Sequence, residues 1–293
     1  MEKVILFGAS GQQGSVIAQQ LIEKGYKVIA PVRYQTNVES LNHKRIETRL
    51  TDFTTASLTN IIKEADKVIL QVPVVITPAQ MIEFVENALK AIAQAGSPHT
   101  VFSISSVVPI EFIGLNGPDA RLKMKELTKQ ILPSAIILSS TLYLENFSQA
   151  YRQAIEQGGV IPQAIPTDIP VAYLSFSDLA MYILAALEKL ELKGQFIPIG
   201  GSEALTGIEL SKKLGVVLGK YIHYQGITSQ ELTAFLTPMI GEQTALQVAE
   251  MYEWEGTTGG SLLNPDVKKA LQLFGITLPD FDTWAKSAFK KIK

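Results

Sequence analysis

Val4-Ile5-Leu6-Phe7-Gly8-Ala9-Ser10-Gly11-Gln12-Gln13-Gly14 decides how the rest of the chain is read. Four apolar residues ending at a glycine form the pattern of a buried parallel strand. Over residues 12–24, Val16, Ile17 and Leu21 share one helical face with Ile22 beside them, and Gly25 follows as a helix-ending glycine. The glycines therefore lie where a first strand meets a helix. Gly8 permits the tight turn, Gly11 lets the backbone approach a pyrophosphate, and Gly14 allows the helix to pack closely on the sheet. The pyrophosphate would lie over the helix N-terminus, where free N–H groups and the helix dipole favour negative charge. Ser10, Gln12 and Gln13 complete this candidate loop. Its spacing is GxxGxxG where GxGxxG is usual, and glycines also mark strand–helix turns that bind nothing. Its place in a longer alternation of strands and helices is what points to a dinucleotide.

That alternation continues outward. Strands are predicted at 27–33, 45–49, 67–72, 100–104 and 134–138, and helices at 55–65, 78–95 and 118–131, the second opened by Thr77-Pro78. Strands separated by single helices imply right-handed crossovers and a parallel sheet covered on both faces. Pro162, Pro166 and Pro170 predict extended irregular chain over 158–173. A helix at 176–189 and a strand at 195–199 are expected to return to the sheet. Helices follow at 207–219, 228–236, 241–253, 264–273 and 280–291, with a glycine–threonine loop at 256–260 read as a mobile connection. The fold class expected is α/β: a Rossmann-type doubly wound parallel sheet with a smaller, mainly helical C-terminal lobe. The division is residues 1–155, joined by 174–200, for the nucleotide, and 156–293 for substrate or partner.

The second strand ends in Pro31-Val32-Arg33, with no acid before Glu39. A site for NAD(H) usually has an acid here for the ribose 2′-hydroxyl, whereas a guanidinium matches a 2′-phosphate in charge and shape. The reading is NADP(H) in preference to NAD(H), with a solvated strand-end arginine as the alternative. Gln71, Val72 and Pro73 end the fourth strand and would run beside the cofactor ribose.

Composition removes whole classes. The 293 residues contain no cysteine, so there is no disulfide, thiolate metal site or cysteine nucleophile. His43, His99 and His223 are far apart and outside any metal-binding spacing, so no metal is expected. Residues 1–150 carry 14 basic and 13 acidic side chains and the remainder 12 and 15, which provides no basic surface for nucleic acid. No GxSxG elbow is present. The N-terminus shows no signal-peptide regions, and no apolar run approaches the roughly 18 residues of a membrane span, so a cytoplasmic protein is expected.

Several pieces together resemble the NmrA-like group of atypical short-chain dehydrogenases/reductases, close also to isoflavone reductase-like proteins. They are the GxQG ending at Gly11-Gln12-Gln13-Gly14, the Val32-Arg33 strand end, and Phe102-Ser103-Ile104-Ser105-Ser106. Further along come Leu144-Glu145-Asn146-Phe147, the stretch Tyr173 to Ala180, and Ile199 to Gly207. The resemblance implies a Rossmann domain for NADP(H), with a cleft between it and a smaller lobe. Members include NADPH-dependent reductases of quinones or phenylpropanoid double bonds, and dinucleotide sensors that regulate transcription through protein partners. None of the nine tyrosines begins a Tyr-x-x-x-Lys, so the usual acid of carbonyl reduction is absent. A quinone remains a feasible acceptor, because hydride transfer to it yields a stabilised phenolate that water protonates. Two readings follow: a reductase of a small planar acceptor, or a sensor acting on a regulatory protein partner. By the resemblance Lys123, with Lys125 the alternative, is the catalytic candidate, also facing the cofactor. Ser105 is placed with the cofactor and Ser106, Val107, Tyr143 and Asn146 in the substrate cleft. For the serines the alternative is strand-end turn chemistry, and for Tyr143 a place in the core.

Overall fold

The computed structural model describes residues 1–41, 43–72 and 77–289. Its first part runs β1 (Lys3–Leu6), α1 (Gln12–Glu23), β2 (Lys27–Val32), α2 (Gln35–Ser40), β3 (Ile46–Leu50), α3 (Thr55–Ile62), β4 (Lys67–Gln71), α4 (Pro78–Gln94), β5 (His99–Ile104), α5 (Asn116–Ile131) and β6 (Ile136–Ser140). There follow α6 (Glu145–Ser148), β7 (Val160–Gln163), α7 (Phe176–Glu188), β8 (Phe196–Ile199), α8 (Gly207–Leu218), β9 (His223–Gly226), α9 (Ser229–Ile240), α10 (Glu242–Glu255), α11 (Val267–Phe274) and α12 (Phe281–Ala288).

Seven strands form one parallel sheet in the order β3-β2-β1-β4-β5-β6-β8. Val4 pairs with Val28 on one side of β1 and with Lys67 on the other. Strands β4, β5 and β6 are buried along their whole length, as a sheet covered on both faces requires. One face packs α1 and α7 around Ile17, Leu21, Leu179 and Ile183. The other packs α3, α4 and α5 around Leu58, Val85, Leu89 and Leu127. This is the Rossmann-type arrangement that the alternation predicts. The start of α4 shows the physics of Thr77-Pro78: Thr77 accepts from the Gln80 N–H, Gln80 returns the bond, and Pro78 gives up an N–H the helix does not use.

The chain after β6 corrects several expectations. Residues 158–173 are not wholly irregular, because β7 pairs in parallel with β9 as a separate two-stranded sheet. The ladder uses alternate residues: the His223 N–H donates to Gly159 O and the Ile227 N–H to Gln163 O. Pro162 falls between them, where no donor is needed, which is how a proline stays in a strand. The 256–260 loop is packed, not mobile. A Cβ on Gly256 would lie 2.8 Å from Pro166, and one on Gly259 2.8 Å from the Trp254 ring. Strand β6 begins two residues later than the pattern predicts and takes in Ser139 and Ser140. Each of their hydroxyls is occupied by the backbone of Ser106. The last helix ends at Ala288, and residues 290 and 291 of the predicted span lie outside the described residues.

A third apolar cluster fills the region beyond the sheet, around Phe147, Tyr173, Leu210 and Leu232, with α8, α9, α10 and α12 about it. Among the described residues no helix is long and apolar enough to cross a membrane.

Candidate functional site

The strand order reverses between β1 and β4, and ligands of open α/β sheets bind at such a point, beyond the carboxyl ends of the strands. There Gly8 leaves β1 with φ of +76°, and the Gly11 N–H donates to Gly8 O at 2.9 Å to close the turn. Gly11 is the N-cap of α1 and offers no side chain to its first-turn N–H groups. A Cβ on Gly14 would lie 2.0 Å from Gly8 O and 2.8 Å from Ala9 Cα. The helix end is thus set directly on the turn, with uncapped donors and exposed Ser10, Gly11 and Gln12 around it. A diphosphate fits this cradle in charge and in the space that missing side chains leave.

Arg33 stands exposed just past β2, its guanidinium carbon 5.3 Å from the centre of the Phe53 ring. A cation held over an aromatic ring at a strand end is suited to a phosphate beside a planar base.

Next to the glycine turn opens a cleft of about 270 Å³. Gln12, Gln13, Ser105, Ser106, Thr141, Leu142, Tyr143 and Asn146 line its sheet side, with Met81 of α4 and Phe176 of α7. Gly117 and Arg121 come from α5. The opposite wall is one stripe of α10, Thr244, Gln247, Val248, Met251 and Tyr252, at the spacing that aligns side chains along a helix. Gln13 Oε1 accepts from Gln71 Nε2 and from Ser105 Oγ, both at 3.4 Å, tying the glycine turn to the ends of β4 and β5. Tyr143 Oη lies 2.8 Å from Ser140 Oγ and 3.5 Å from Ser105 Oγ, and its ring meets Phe176 edge-on. Burial pushes the Tyr143 pKa up despite these hydroxyls, so at neutral pH the phenol keeps its proton.

The chain crosses from β5 into the cleft through Ser106, which holds φ at +70°. Four contacts keep a non-glycine residue in that costly conformation. Its N–H donates to Ser140 Oγ at 3.1 Å, its carbonyl accepts from Ser139 Oγ at 3.2 Å, and its hydroxyl donates to Glu255 Oε1 at 2.6 Å. The preceding carbonyl, Ser105 O, accepts from Arg121 Nε at 2.7 Å. Glu255 is fully buried, and burial pushes its carboxyl up to about 7, against the opposing pull of Ser106 and Arg121. Glu145, behind Tyr143, accepts the Phe176 N–H with both oxygens at 3.1 Å, and burial pushes it too up to about 7.

The structure therefore brings together the glycine turn, Gln71, Ser105, Ser106, Tyr143 and Asn146, the last donating to Tyr252 Oη at 3.2 Å. Val72 packs against the core cluster of the α4 face, and Val107 is buried in the cluster beyond the sheet, outside the lining of this cleft. Pro73 lies outside the described residues. Lys123 is a correction: it is exposed and outside the cleft, and the basic residue of this helix that lines the cleft is Arg121. On α5 the buried face carries Arg121, Met124 and Thr128, three and seven residues apart, and this period turns position 123 towards solvent. Lys125 does not reach the cleft either; its ammonium sits 4.5 Å from the centre of the Phe196 ring.

A model of the NmrA-like family matches residues 1–275. An NAD(P)H azoreductase of Xenophilus azovorans is 25% identical over 258 residues, which cover 85% of this chain and 86% of that protein. Among solved structures, the triphenylmethane reductase of Citrobacter sp. complexed with NADP(H) superposes with a TM-score of 0.82 at 21% identity, covering 98% of this chain and 100% of that one. The NADPH-dependent quinone oxidoreductase of Escherichia coli, complexed with NADPH, gives 0.80 at 21% identity, with 98% and 100% covered. NmrA, a negative transcriptional regulator in complex with NADP, gives 0.75 at 14% identity, with 98% and 95% covered.

Proposed function

The chain belongs to the NmrA-like family, and on that premise we propose that it is a cytoplasmic NADP(H)-dependent oxidoreductase that reduces a small planar acceptor such as a quinone. The observation that carries this reading is the glycine turn, packed so that Gly14 admits no side chain, opening directly into an apolar cleft. The likeness to the NAD(P)H azoreductase, the triphenylmethane reductase complexed with NADP(H) and the NADPH-dependent quinone oxidoreductase supports it. Residues 1–155, joined by 174–200, carry the cofactor, and the rest of 156–293 supplies the acceptor wall.

Gly8, Ser10, Gly11, Gln12, Gln13 and Gly14 hold the diphosphate, Arg33 the 2′-phosphate, and Gln71, Val72 and Ser105 the ribose and nicotinamide end. When bound there, the reduced nicotinamide supplies a hydride. The protein's own contribution is orientation and exclusion of water. Met81, Val248 and Met251 offer apolar faces to a flat ring, and Tyr143 presents a protonated phenol, steadied by Ser140, to an acceptor oxygen. The sequence has no Tyr-x-x-x-Lys, and an acceptor whose reduced form is a stabilised phenolate makes none necessary.

NADPH oxidation followed by absorbance with naphthoquinones, azo dyes and triphenylmethane dyes is the direct test. Turnover of at least one class is expected, and no turnover across the panel would sink the reading. Cofactor preference is expected to rest on Arg33. Arg33→Ala should weaken NADPH by about 10- to 100-fold, the worth of a charged hydrogen bond, and leave NADH unchanged in a fluorescence titration. Equal loss for both cofactors would remove Arg33 from the 2′-phosphate site.

A second reading has its own support in the missing Tyr–Lys pair and the likeness to NADP-bound NmrA. There the chain is a sensor: NADP(H) binds without turnover, and affinity for a protein partner differs between the loaded and empty forms.

A further inference from the structure

Arg121 is 9% exposed, yet it carries a full charge into the cleft. Its Nε is used by Ser105 O at 2.7 Å. Among the described residues nothing accepts from the two terminal nitrogens, and no carboxylate lies within 4.0 Å of them. Glu255 is the nearby acid and the two charges act on each other through space, but its hydrogen bond goes to the Ser106 hydroxyl and it forms no ion pair with the guanidinium. A mostly buried guanidinium whose terminal nitrogens make no hydrogen bond is costly, and a bidentate oxyanion would satisfy them. The neighbouring position is also kept small: a Cβ on Gly117 would lie 3.3 Å from Arg121 Nη1. Met81, Val248 and Met251 line the same cleft as Arg121. The cleft thus combines one cationic side chain with apolar surface against which a flat ring can lie.

We propose that the cleft selects aromatic acceptors bearing an anionic group, a carboxylate or sulfonate, and that the terminal nitrogens of Arg121 grip that group. The proposal rests on the oxidoreductase reading for the word acceptor, but the anion preference is measurable without turnover. An arginine fork takes either oxyanion through two parallel bonds, while the ring lies along the apolar wall. A phosphate of the dinucleotide is the other source of the same charge, and the test separates the two.

The experiment is calorimetric titration of the NADPH-loaded protein with naphthalene-2-sulfonate and with its neutral counterpart naphthalene-2-sulfonamide. Wild type is expected to bind the sulfonate at least 10-fold more tightly. Arg121→Gln should bring the two within about twofold of each other, while any loss of NADPH affinity in the absence of either probe stays smaller than the loss of the sulfonate. Gly117→Leu, which fills the space beside Nη1 and leaves the charge in place, should lower sulfonate affinity in the same direction; it tests the site even where Arg121→Gln does not fold. Equal binding of the two probes by wild type overturns the proposal. So does a loss of NADPH affinity in Arg121→Gln that matches the loss of the sulfonate, since the guanidinium then belongs to the cofactor. Because neither probe is reduced, a failure here leaves the oxidoreductase reading standing, and a protein without turnover can still show the preference.

Discussion

Gly14→Ala is expected to leave no measurable NADPH binding and to unfold the protein in a denaturant series well before wild type. The added methyl would sit 2.0 Å from Gly8 O, 2.6 Å from Gly8 C and 2.8 Å from Ala9 Cα. All three are backbone atoms, so no rotamer change relieves them. Either α1 lifts off the sheet, uncovering Ile17, Ala18 and Leu21, or the turn opens and its N–H groups scatter. Overlap of this kind belongs with the largest single-site effects, about 4 kcal/mol or more. Gly25→Ala is the matched control. Its φ is +94° and nothing lies within 4 Å, so the cost is about 1–2 kcal/mol of backbone strain, with cofactor binding intact. Wild-type NADPH affinity in Gly14→Ala would show that the helix end is not held as described.

The second large effect is on stability against pH. Glu255 and Glu145 both have folded pKa values of about 7, against 4.5 for a free glutamate. Between those values the folded protein binds more protons than the unfolded chain, so stability falls as pH rises from about 4.5 to 7, and levels off above. The contribution is fully present below 4.5. Each group accounts for on the order of 3 kcal/mol over that window. Burial produces the rise at Glu255, and the Ser106 hydrogen bond and the Arg121 charge oppose it. Urea midpoints at pH 5 and pH 8 should therefore differ clearly, with the acid side more stable. Glu255→Gln keeps an acceptor for Ser106 and should remove about half of the slope. A wild-type midpoint that is flat from pH 5 to 8 contradicts the burial of these two carboxyls.

What was legible in the sequence is what is written over short spans. A strand, three glycines and an amphipathic helix are contiguous, so their joint meaning survives without any knowledge of the rest. Arg33 is legible in the same way as a position, exposed just past its strand end. The cleft is another matter. Ser106 and Glu255 bond across 149 positions, and no local pattern announces such a meeting. The α10 wall reads as an ordinary surface helix until the sheet is placed opposite it. Arg121 did leave a trace, since it shares the inward stripe of α5 with Met124 and Thr128. A lysine sought by resemblance two residues further on led to the wrong face of that helix. The pairing of β7 with β9 was hidden because Pro162 weighs against a strand unless its free edge is known.

The stripe of α10 has a bearing on how this protein can change. Five side chains, Thr244, Gln247, Val248, Met251 and Tyr252, form one wall of the cleft, and none of them belongs to the seven-stranded sheet or the glycine turn. Under the proposed function, drift along this one helix face alters which molecules are admitted and leaves the nucleotide machinery untouched. A library randomised at Thr244, Gln247 and Val248 would explore acceptor range in a scaffold whose fold is carried elsewhere, and relatives with different acceptors are the outcome that such a division of labour makes easy to reach.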